Sequence, residues 1–127
     1  MWGKLALGSL VGYAFLILAK TVLIRKPFSG QHFNPEFFWS WRQWKIQRNQ
    51  ILTNVIMFAP IGVLTVHLWK WKGLWVAAGL SIAIELLQFI TARGLCEFDD
   101  VFHNVIGAVI GIGIVMIGRK LFRGKAE

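Results

Sequence analysis

Long apolar runs alternate along the chain with short polar or aromatic segments. Predominantly apolar residues occupy 5–24, 51–69, 73–92 and 101–118. An α-helix rises about 1.5 Å per residue, so about 20 apolar residues are enough to cross the hydrocarbon core of a bilayer. The pattern therefore predicts four transmembrane helices over these ranges. The connection at 70–73 is short, so the second and third helices are predicted to be antiparallel neighbours.

The segment between the first two runs is aromatic and basic. If it is helical, Phe37, Trp41 and Trp44 share one face, and Arg42 lies on another. This pattern predicts an amphipathic helix near 36–48 that lies in the membrane interface, where tryptophan is enriched. The helix has two possible roles. It is either an anchor at headgroup depth or an aromatic shelf that binds a lipid-linked or lipoglycopeptide ligand.

The overall composition is that of a membrane protein. Hydrophobic residues make up 56% of the 127 positions, seven residues are tryptophan, and the mean hydropathy is +0.57. A soluble domain of this size could not bury so much apolar surface. We therefore predict a single all-α membrane domain over 1–127, with no separate soluble catalytic unit. The single Cys96 rules out an internal disulfide.

The net charge of +8 is explained by basic residues that flank the apolar runs, where they face anionic lipid and influence topology. No soluble basic domain is present, so nucleic acid is not an expected partner. Four spans place both termini on the same side of the membrane. The dense basic tail at 119–125 follows a helix end directly, which indicates that the termini are cytoplasmic.

Polar residues interrupt the last two apolar runs at helical spacing. Glu85 and Gln88 are three residues apart and share one face of the third helix. The fourth helix carries a stripe that begins polar and continues as glycine, namely Asp100, Asn104, Gly107 and Gly111. Ionisable groups at membrane depth are costly and commonly mark function, so the polar residues form a candidate site. The glycines are predicted to line a helix contact, because small residues permit close backbone approach.

Other polar residues have competing interpretations. Arg93, in the turn between these helices, is predicted to pair with Asp100 or Glu85, because an unpaired charge near hydrocarbon is costly. Asn54 on the second helix either bonds another helix or contacts a ligand. Asp99 and Asp100 either cap the positive N-terminus of the fourth helix or perform acid–base chemistry. Acid, amide and guanidinium groups would meet in one pocket at one membrane face.

These residues also carry a resemblance to a known family. The matching positions are Glu85, Gln88, Arg93, Asp100, Asn104 and Gly107, preceded by Asn54, Phe58, Pro60 and Gly62. Together, within 48–118, they resemble the VanZ-like family of small bacterial integral membrane proteins. The resemblance implies a multi-pass protein of the bacterial cell membrane that is associated with low-level resistance to the glycopeptide teicoplanin. It implies a fold and a phenotype, not a reaction.

The first functional hypothesis is a binding protein. Its polar cluster would receive a membrane lipid, a lipid-linked envelope precursor or a lipoglycopeptide. The candidate ligand-binding residues are Asn54, Glu85, Gln88, Arg93, Asp100 and Asn104. The ligand and the oligomeric state are left open by the sequence.

The second hypothesis is a membrane-embedded enzyme that acts on an anionic envelope or lipid substrate. Its candidate catalytic residues are Glu85, Asp99, Asp100 and His103. A carboxylate would act as general base, Arg93 would hold a phosphate through its bidentate fork, and Asp99 would orient His103.

No nucleophile or metal motif accompanies these residues, and a divalent ion on Glu97, Asp99 and Asp100 would need more oxygen ligands. Neither a metal nor a cofactor is therefore expected. A small carrier is the third hypothesis, which the lack of visible inverted repeats disfavours.

Overall fold

The computed structural model describes residues 1–124 of the chain, and most of this part is helical. The helices are α1 (Trp2–Leu18), which continues as a π-helical turn (Ala19–Leu23), then α2 (Trp39–Arg42), α3 (Trp44–Trp69), α4 (Gly73–Thr91) and α5 (Phe98–Arg123). Two short strands, β1 (Phe33–Asn34) and β2 (Cys96–Glu97), form a parallel pair. The predicted all-α class is therefore correct for the bulk of the described chain.

Three helical stretches are long and apolar enough to cross a membrane: Trp2–Leu23, Trp44–Thr91 and Phe98–Arg123. The middle stretch is folded in two. Lys70 has a positive φ of 55°, and a single 3₁₀ turn at Lys70–Lys72 separates α3 from α4. An added Cβ on Gly73 would lie 2.5 Å from the Cβ of Thr65, a contact that a continuous helix would not make between residues this far apart. The middle stretch therefore consists of two helices that pack together.

The interfacial helix predicted near 36–48 is not confirmed. Only Trp39–Arg42 is helical before Gln43 interrupts it with φ −106° and ψ 36°, and Trp44 already belongs to α3. The position at which α2 begins, Trp39 rather than residue 36, has a tertiary cause. Phe38 is held in the left-handed conformation (φ 57°) while its backbone N–H, and that of Ser40, bond to a carboxylate on α5. Helical periodicity cannot show that a distant side chain fixes where the helix begins.

The closest helix contact is between α3 and α5, and glycine makes it possible. A Cβ added at Gly62 would lie 2.1 Å from the Ala108 carbonyl oxygen. A Cβ at Gly107 would lie 2.2 Å from the Val55 carbonyl oxygen, and a Cβ at Gly111 would lie 2.0 Å from the Ala59 carbonyl oxygen. The two backbones therefore touch where any side chain would intervene. The buried apolar residues around this contact are Leu10, Ile17, Val22, Phe58, Ile61, Ala77, Ile84 and Ala108.

The strand pair ties the loop after α1 to the turn between α4 and α5. Phe33 pairs with Cys96 and Asn34 with Glu97, and the Cys96 N–H donates to the His32 carbonyl at 2.8 Å. This attachment holds the aromatic loop at the end of the bundle where α4 ends and α5 begins. The polar residues of both helices lie at the same end.

Candidate functional site

A cavity of about 500 Å³ lies between α3, α4, α5 and the π-helical end of α1. Its lining residues are Thr21, Arg25, Trp39, Gln47, Asn49, Gln50, Thr53, Asn54, Met57, Ile84, Glu85, Gln88, Leu95, Glu97, Asp100 and Asn104. Five of the six predicted ligand-binding residues line it: Asn54, Glu85, Gln88, Asp100 and Asn104. The structure therefore brings polar residues of three helices to one cavity.

The cavity has a buried floor and an exposed mouth. Glu85, Gln88 and Asn104 expose 4%, 5% and 2% of their surface, respectively. Arg25 and Gln50 belong to the same lining but are exposed to solvent. Polar groups are thus withdrawn from water at the bottom of a space that is open at the end of the bundle.

Arg93 is not part of this lining, and its predicted pairing with Asp100 or Glu85 is wrong. Its guanidinium donates to the Leu23 carbonyl at 2.9 Å, and no carboxylate within residues 1–124 lies within 4.0 Å of it. The reason is that Ala92 ends α4 in the left-handed conformation. Arg93 then reaches the last turn of the π-helical segment, where carbonyls lack intrahelical partners.

The cationic side chain in the lining is instead Arg25, which the sequence pattern does not distinguish as a site residue. It directly follows the first apolar run, and in sequence it is indistinguishable from an ordinary basic flank. Only the packing of the π-helical segment against α4 brings it to the cavity.

Two further residues join the carboxylates of the cavity: Gln50, which the sequence pattern did not mark, and Glu97, which the sequence pattern suggested only as a ligand of a divalent ion. The Gln50 amide donates to Glu97 Oε2 at 3.0 Å and lies 3.2 Å from Asp100 Oδ2. The Glu97 N–H donates to Glu85 Oε2 at 3.0 Å. Glu97 and Gln50 therefore connect acids from α4 and α5 with α3. The only sequence clue was that both are polar residues beside the predicted spans.

Asp99 and Asp100 have different surroundings. Asp99 is only 1% exposed, and its two oxygens accept the Phe38 N–H at 2.6 Å, the Ser40 N–H at 3.0 Å and the Ser40 hydroxyl. Asp99 therefore caps the start of α2, which is distant in sequence, in addition to its favourable position in the first turn of α5. Asp100 is the member of the pair that lines the cavity.

The predicted pair of Asp99 and His103 is also wrong. Asp99 is occupied by the backbone of residues 38 and 40, and neither ring nitrogen of His103 has a hydrogen-bond partner within residues 1–124. His103 Nδ1 lies 4.0 Å from Asp100 Oδ1, and the ring packs against Trp41 with 5.8 Å between centroids. His103 is fully buried and does not belong to the cavity lining.

Several buried polar atoms of the cavity have no partner in the described part of the chain. They are Trp39 Nε1, Asn54 Nδ2, Gln88 Oε1, Glu97 Oε1 and Asn104 Oδ1. The other ends of two of these amides are bonded, with Gln88 Nε2 donating to the Thr21 carbonyl at 3.2 Å and Asn104 Nδ2 to Ser81 Oγ at 2.8 Å. Buried polar atoms are usually paired. The free atoms therefore define positions where a bound molecule or water can form hydrogen bonds.

The acids are not arranged as a metal site. Within residues 1–124, no group of three or more His, Cys, Asp or Glu side chains is placed to hold a metal ion. Asp99, considered with Glu97 and Asp100 for a divalent ion, uses both oxygens to bond the segment at residues 38 and 40.

Glu97 is sensitive to pH near neutrality. Burial, together with the negative charge of Asp100, raises the pKa of the Glu97 carboxyl from 4.5 to about 7, although the Gln50 hydrogen bond opposes the change. Glu85, Asp99 and Asp100 are the other acids near it. Between about pH 4.5 and 7, the folded protein therefore holds a proton at Glu97 that the unfolded chain has already released.

Thermal stability is consequently expected to fall as pH rises. The stabilisation from protonating Glu97 is complete below about pH 4.5 and is lost as pH passes through about 7. The melting temperature of detergent-purified protein, measured between about pH 5 and 8, should decline across this range. Glu97→Gln, which stays neutral, should flatten the profile and raise the melting temperature at the alkaline end.

The matched control is Glu36→Gln. Glu36 is exposed and pairs with Arg42 at 2.6 Å, outside the cavity, so its removal should leave the slope unchanged. A wild-type melting temperature that rises with pH, or a Glu97→Gln slope equal to that of wild type, would contradict the assignment.

Comparison with known proteins agrees with the motif. A family model, VanZ/LLP1, matches residues 10–119. The chain is 30% identical over 80 residues to Protein VanZ of Enterococcus faecium, a match that covers 60% of this chain and 50% of that relative. The match thus spans about half the length of the relative. No solved structure gives a significant match. The resemblance seen in the sequence is confirmed, and the chain belongs to the VanZ/LLP1 family.

Proposed function

We propose that this protein is a membrane protein of glycopeptide resistance that binds an envelope or lipid-linked ligand in the polar cavity. Membership of the VanZ/LLP1 family supports the association with teicoplanin resistance. The observation that carries the binding proposal is the set of unpartnered buried polar atoms in the lining of one open cavity, which lie on Trp39, Asn54, Gln88, Glu97 and Asn104. A sealed structural network would pair these atoms within the protein.

The proposed orientation places the termini in the cytoplasm and the cavity toward the envelope. The cavity lies where α3 begins and α4 ends, at the opposite end of the bundle from the Lys70–Lys72 turn and from the basic end of α5. Basic residues favour the cytoplasmic side. A ligand would then enter from the outer leaflet or from the envelope.

Acid–base catalysis on an envelope substrate is the second candidate function. It is favoured by the carboxylates of Glu85, Glu97 and Asp100 in one cavity and by the pKa of Glu97 near 7, which suits a group that exchanges protons at physiological pH. Against it, two of the four predicted catalytic residues, Asp99 and His103, do not line the cavity. We therefore rank binding first.

The test is teicoplanin susceptibility of cells that express single variants, measured beside the amount of protein in the membrane. Glu85→Gln and Asp100→Asn are expected to abolish protection at unchanged abundance, because each keeps the side-chain shape and removes an ionisable carboxyl group from the cavity. Arg93→Lys is expected to retain protection, since Arg93 lies outside the cavity lining and bonds one carbonyl. Glu36→Gln, at the exposed pair with Arg42, is the charge-matched control.

Two results would overturn the proposal. If protection only follows protein abundance across the variants, the cavity residues have a structural role and do not bind a ligand. Wild-type protein that gives no protection at all would show that the family's resistance association does not extend to this chain.

A further inference from the structure

The unpartnered atoms on the cavity floor are mostly hydrogen-bond acceptors. Gln88 Oε1, Glu97 Oε1 and Asn104 Oδ1 are oxygens, whereas Trp39 Nε1 and Asn54 Nδ2 are the two donors among the five. The orientation of Gln88 follows from chemistry, because its Nε2 faces the Thr21 carbonyl, which can only accept. A group that satisfies this floor must therefore donate hydrogen bonds.

The charged residues of the cavity also favour a ligand that carries a positive charge. Glu85, Glu97 and Asp100 contribute three carboxylates to the lining, and the cationic residue in the lining, Arg25, is exposed at the mouth. A cation bound beside buried carboxyl groups favours their ionised form and donates charge-assisted hydrogen bonds to them, which offsets the burial that raises the pKa of Glu97. A primary ammonium group combines positive charge with three N–H donors in one small group.

An apolar groove adjoins the polar cavity. It has a volume of about 400 Å³, lies between α1 and α3, and shares Thr53 and Met57 with the cavity lining. Leu16 and Ile56 line the groove and are 63% and 67% exposed on the face that would meet lipid. The shared residues place the groove directly beside the cavity, so an acyl chain in the groove would bring an attached headgroup next to the polar space.

From these features we infer that the ligand is a phospholipid-like amphiphile whose headgroup ends in a primary ammonium. The ammonium bonds the oxygens of Gln88 and Glu97, the anionic part of the headgroup faces Arg25 at the mouth, and an acyl chain lies in the groove between α1 and α3. This inference rests on the proposed function, because it names the ligand class of the same cavity.

The test compares lipids that differ only in the number of N–H donors on the headgroup nitrogen. Phosphatidylethanolamine and its N-methyl, N,N-dimethyl and trimethyl analogues share the same acyl chains but lose one N–H with each methyl group. Their affinities for delipidated, detergent-solubilised wild-type protein are measured by native mass spectrometry. Phosphatidylethanolamine is expected to bind about tenfold more tightly than the trimethyl lipid, since charge-assisted hydrogen bonds are lost. Phosphatidylglycerol, which has no amine, should bind no better than the trimethyl lipid.

Variants locate the effect in the cavity. Gln88→Leu and Glu97→Gln should reduce the preference for the primary amine to about twofold or less, while Glu36→Gln keeps it. Because the methylation series uses only wild-type protein, it decides the question even if a cavity variant fails to fold.

Three outcomes would overturn the inference: equal binding of the four lipids, tightest binding of phosphatidylglycerol, or a preference that survives in both folded cavity variants. Equal binding of the lipids, combined with loss of teicoplanin protection in Glu85→Gln and Asp100→Asn, would reject the ammonium ligand and leave the proposed function standing.

Discussion

A single methyl group added at Gly111 is expected to destabilise the protein severely, whereas the same change at Gly113, two residues along the same helix, is expected to be neutral or mildly stabilising. At Gly111 the new Cβ would lie 2.0 Å from the Ala59 carbonyl oxygen and 2.9 Å from the Val63 nitrogen. Both atoms are backbone, so no side-chain rotation can relieve the overlap and α3 must move away from α5. Overpacking a core costs about 1–3 kcal/mol when side chains can adjust, and here the cost should reach or exceed that range.

Gly113 and Gly118 are matched controls, because an added Cβ at either position meets nothing within 4 Å. Replacing a glycine inside a helix with alanine should even stabilise it by roughly 0.5–1 kcal/mol. The measurement is the melting temperature of each variant in detergent. Gly107→Ala, which faces the Val55 carbonyl at 2.2 Å, should behave like Gly111→Ala. If Gly111→Ala has the same melting temperature as the Gly113→Ala control, α3 and α5 are not in contact at these glycines.

Asp99→Asn is expected to have the second largest effect, with a loss of at least about 2 kcal/mol of stability, because a buried donor left unpaired costs about 1–3 kcal/mol. The carboxylate of Asp99 accepts the backbone N–H groups of Phe38 and Ser40 and the Ser40 hydroxyl. Asparagine has nearly the same shape, but it replaces one accepting oxygen with an NH₂ group that faces these donors. The segment around α2 should therefore detach from α5 first.

Two measurements separate this local effect from general unfolding. Limited proteolysis should cut Asp99→Asn between residues 28 and 43 at temperatures where wild type is resistant, while the melting temperature falls. Glu36→Gln removes an exposed carboxylate from the same segment and should change neither result, because surface ion pairs contribute about 0–1 kcal/mol. An Asp99→Asn protein with wild-type protease resistance would contradict the capping role.

The two expected losses arise from features that the sequence revealed to different degrees. Gly107 and Gly111 stand four residues apart on a stripe with Asn104, and local helical geometry was enough to predict that they lie in a helix contact. The sequence did not show that α3 is the partner. For Asp99, the sequence suggested favourable placement at the start of its own helix, whereas the carboxylate binds a segment about sixty residues away.

The residues of the polar cavity were likewise predicted only in part from the sequence. Glu85, Gln88, Asp100 and Asn104 could be grouped in advance, because each pair shares a helix face and the two helices meet through a short turn. Arg93 was grouped with them for its position in that turn, yet the left-handed conformation of Ala92 carries it toward Leu23. Arg25, Gln50 and Glu97 enter the cavity from a helix end, another helix and a strand, and no spacing in the chain relates them.

The sequence by itself determined the features that depend on neighbouring residues. Run length and composition established helices long enough to cross a membrane, and periodicity established which residues share a face. The combined motif identified the family, which the comparisons confirm. Only the tertiary structure decided that Asp99 caps the start of α2, that Arg25 replaces Arg93 beside the cavity, and that acceptor atoms on three elements lack partners. The physical reason is that helical periodicity acts over a few residues, whereas these contacts depend on the directions in which loops and left-handed residues send the chain.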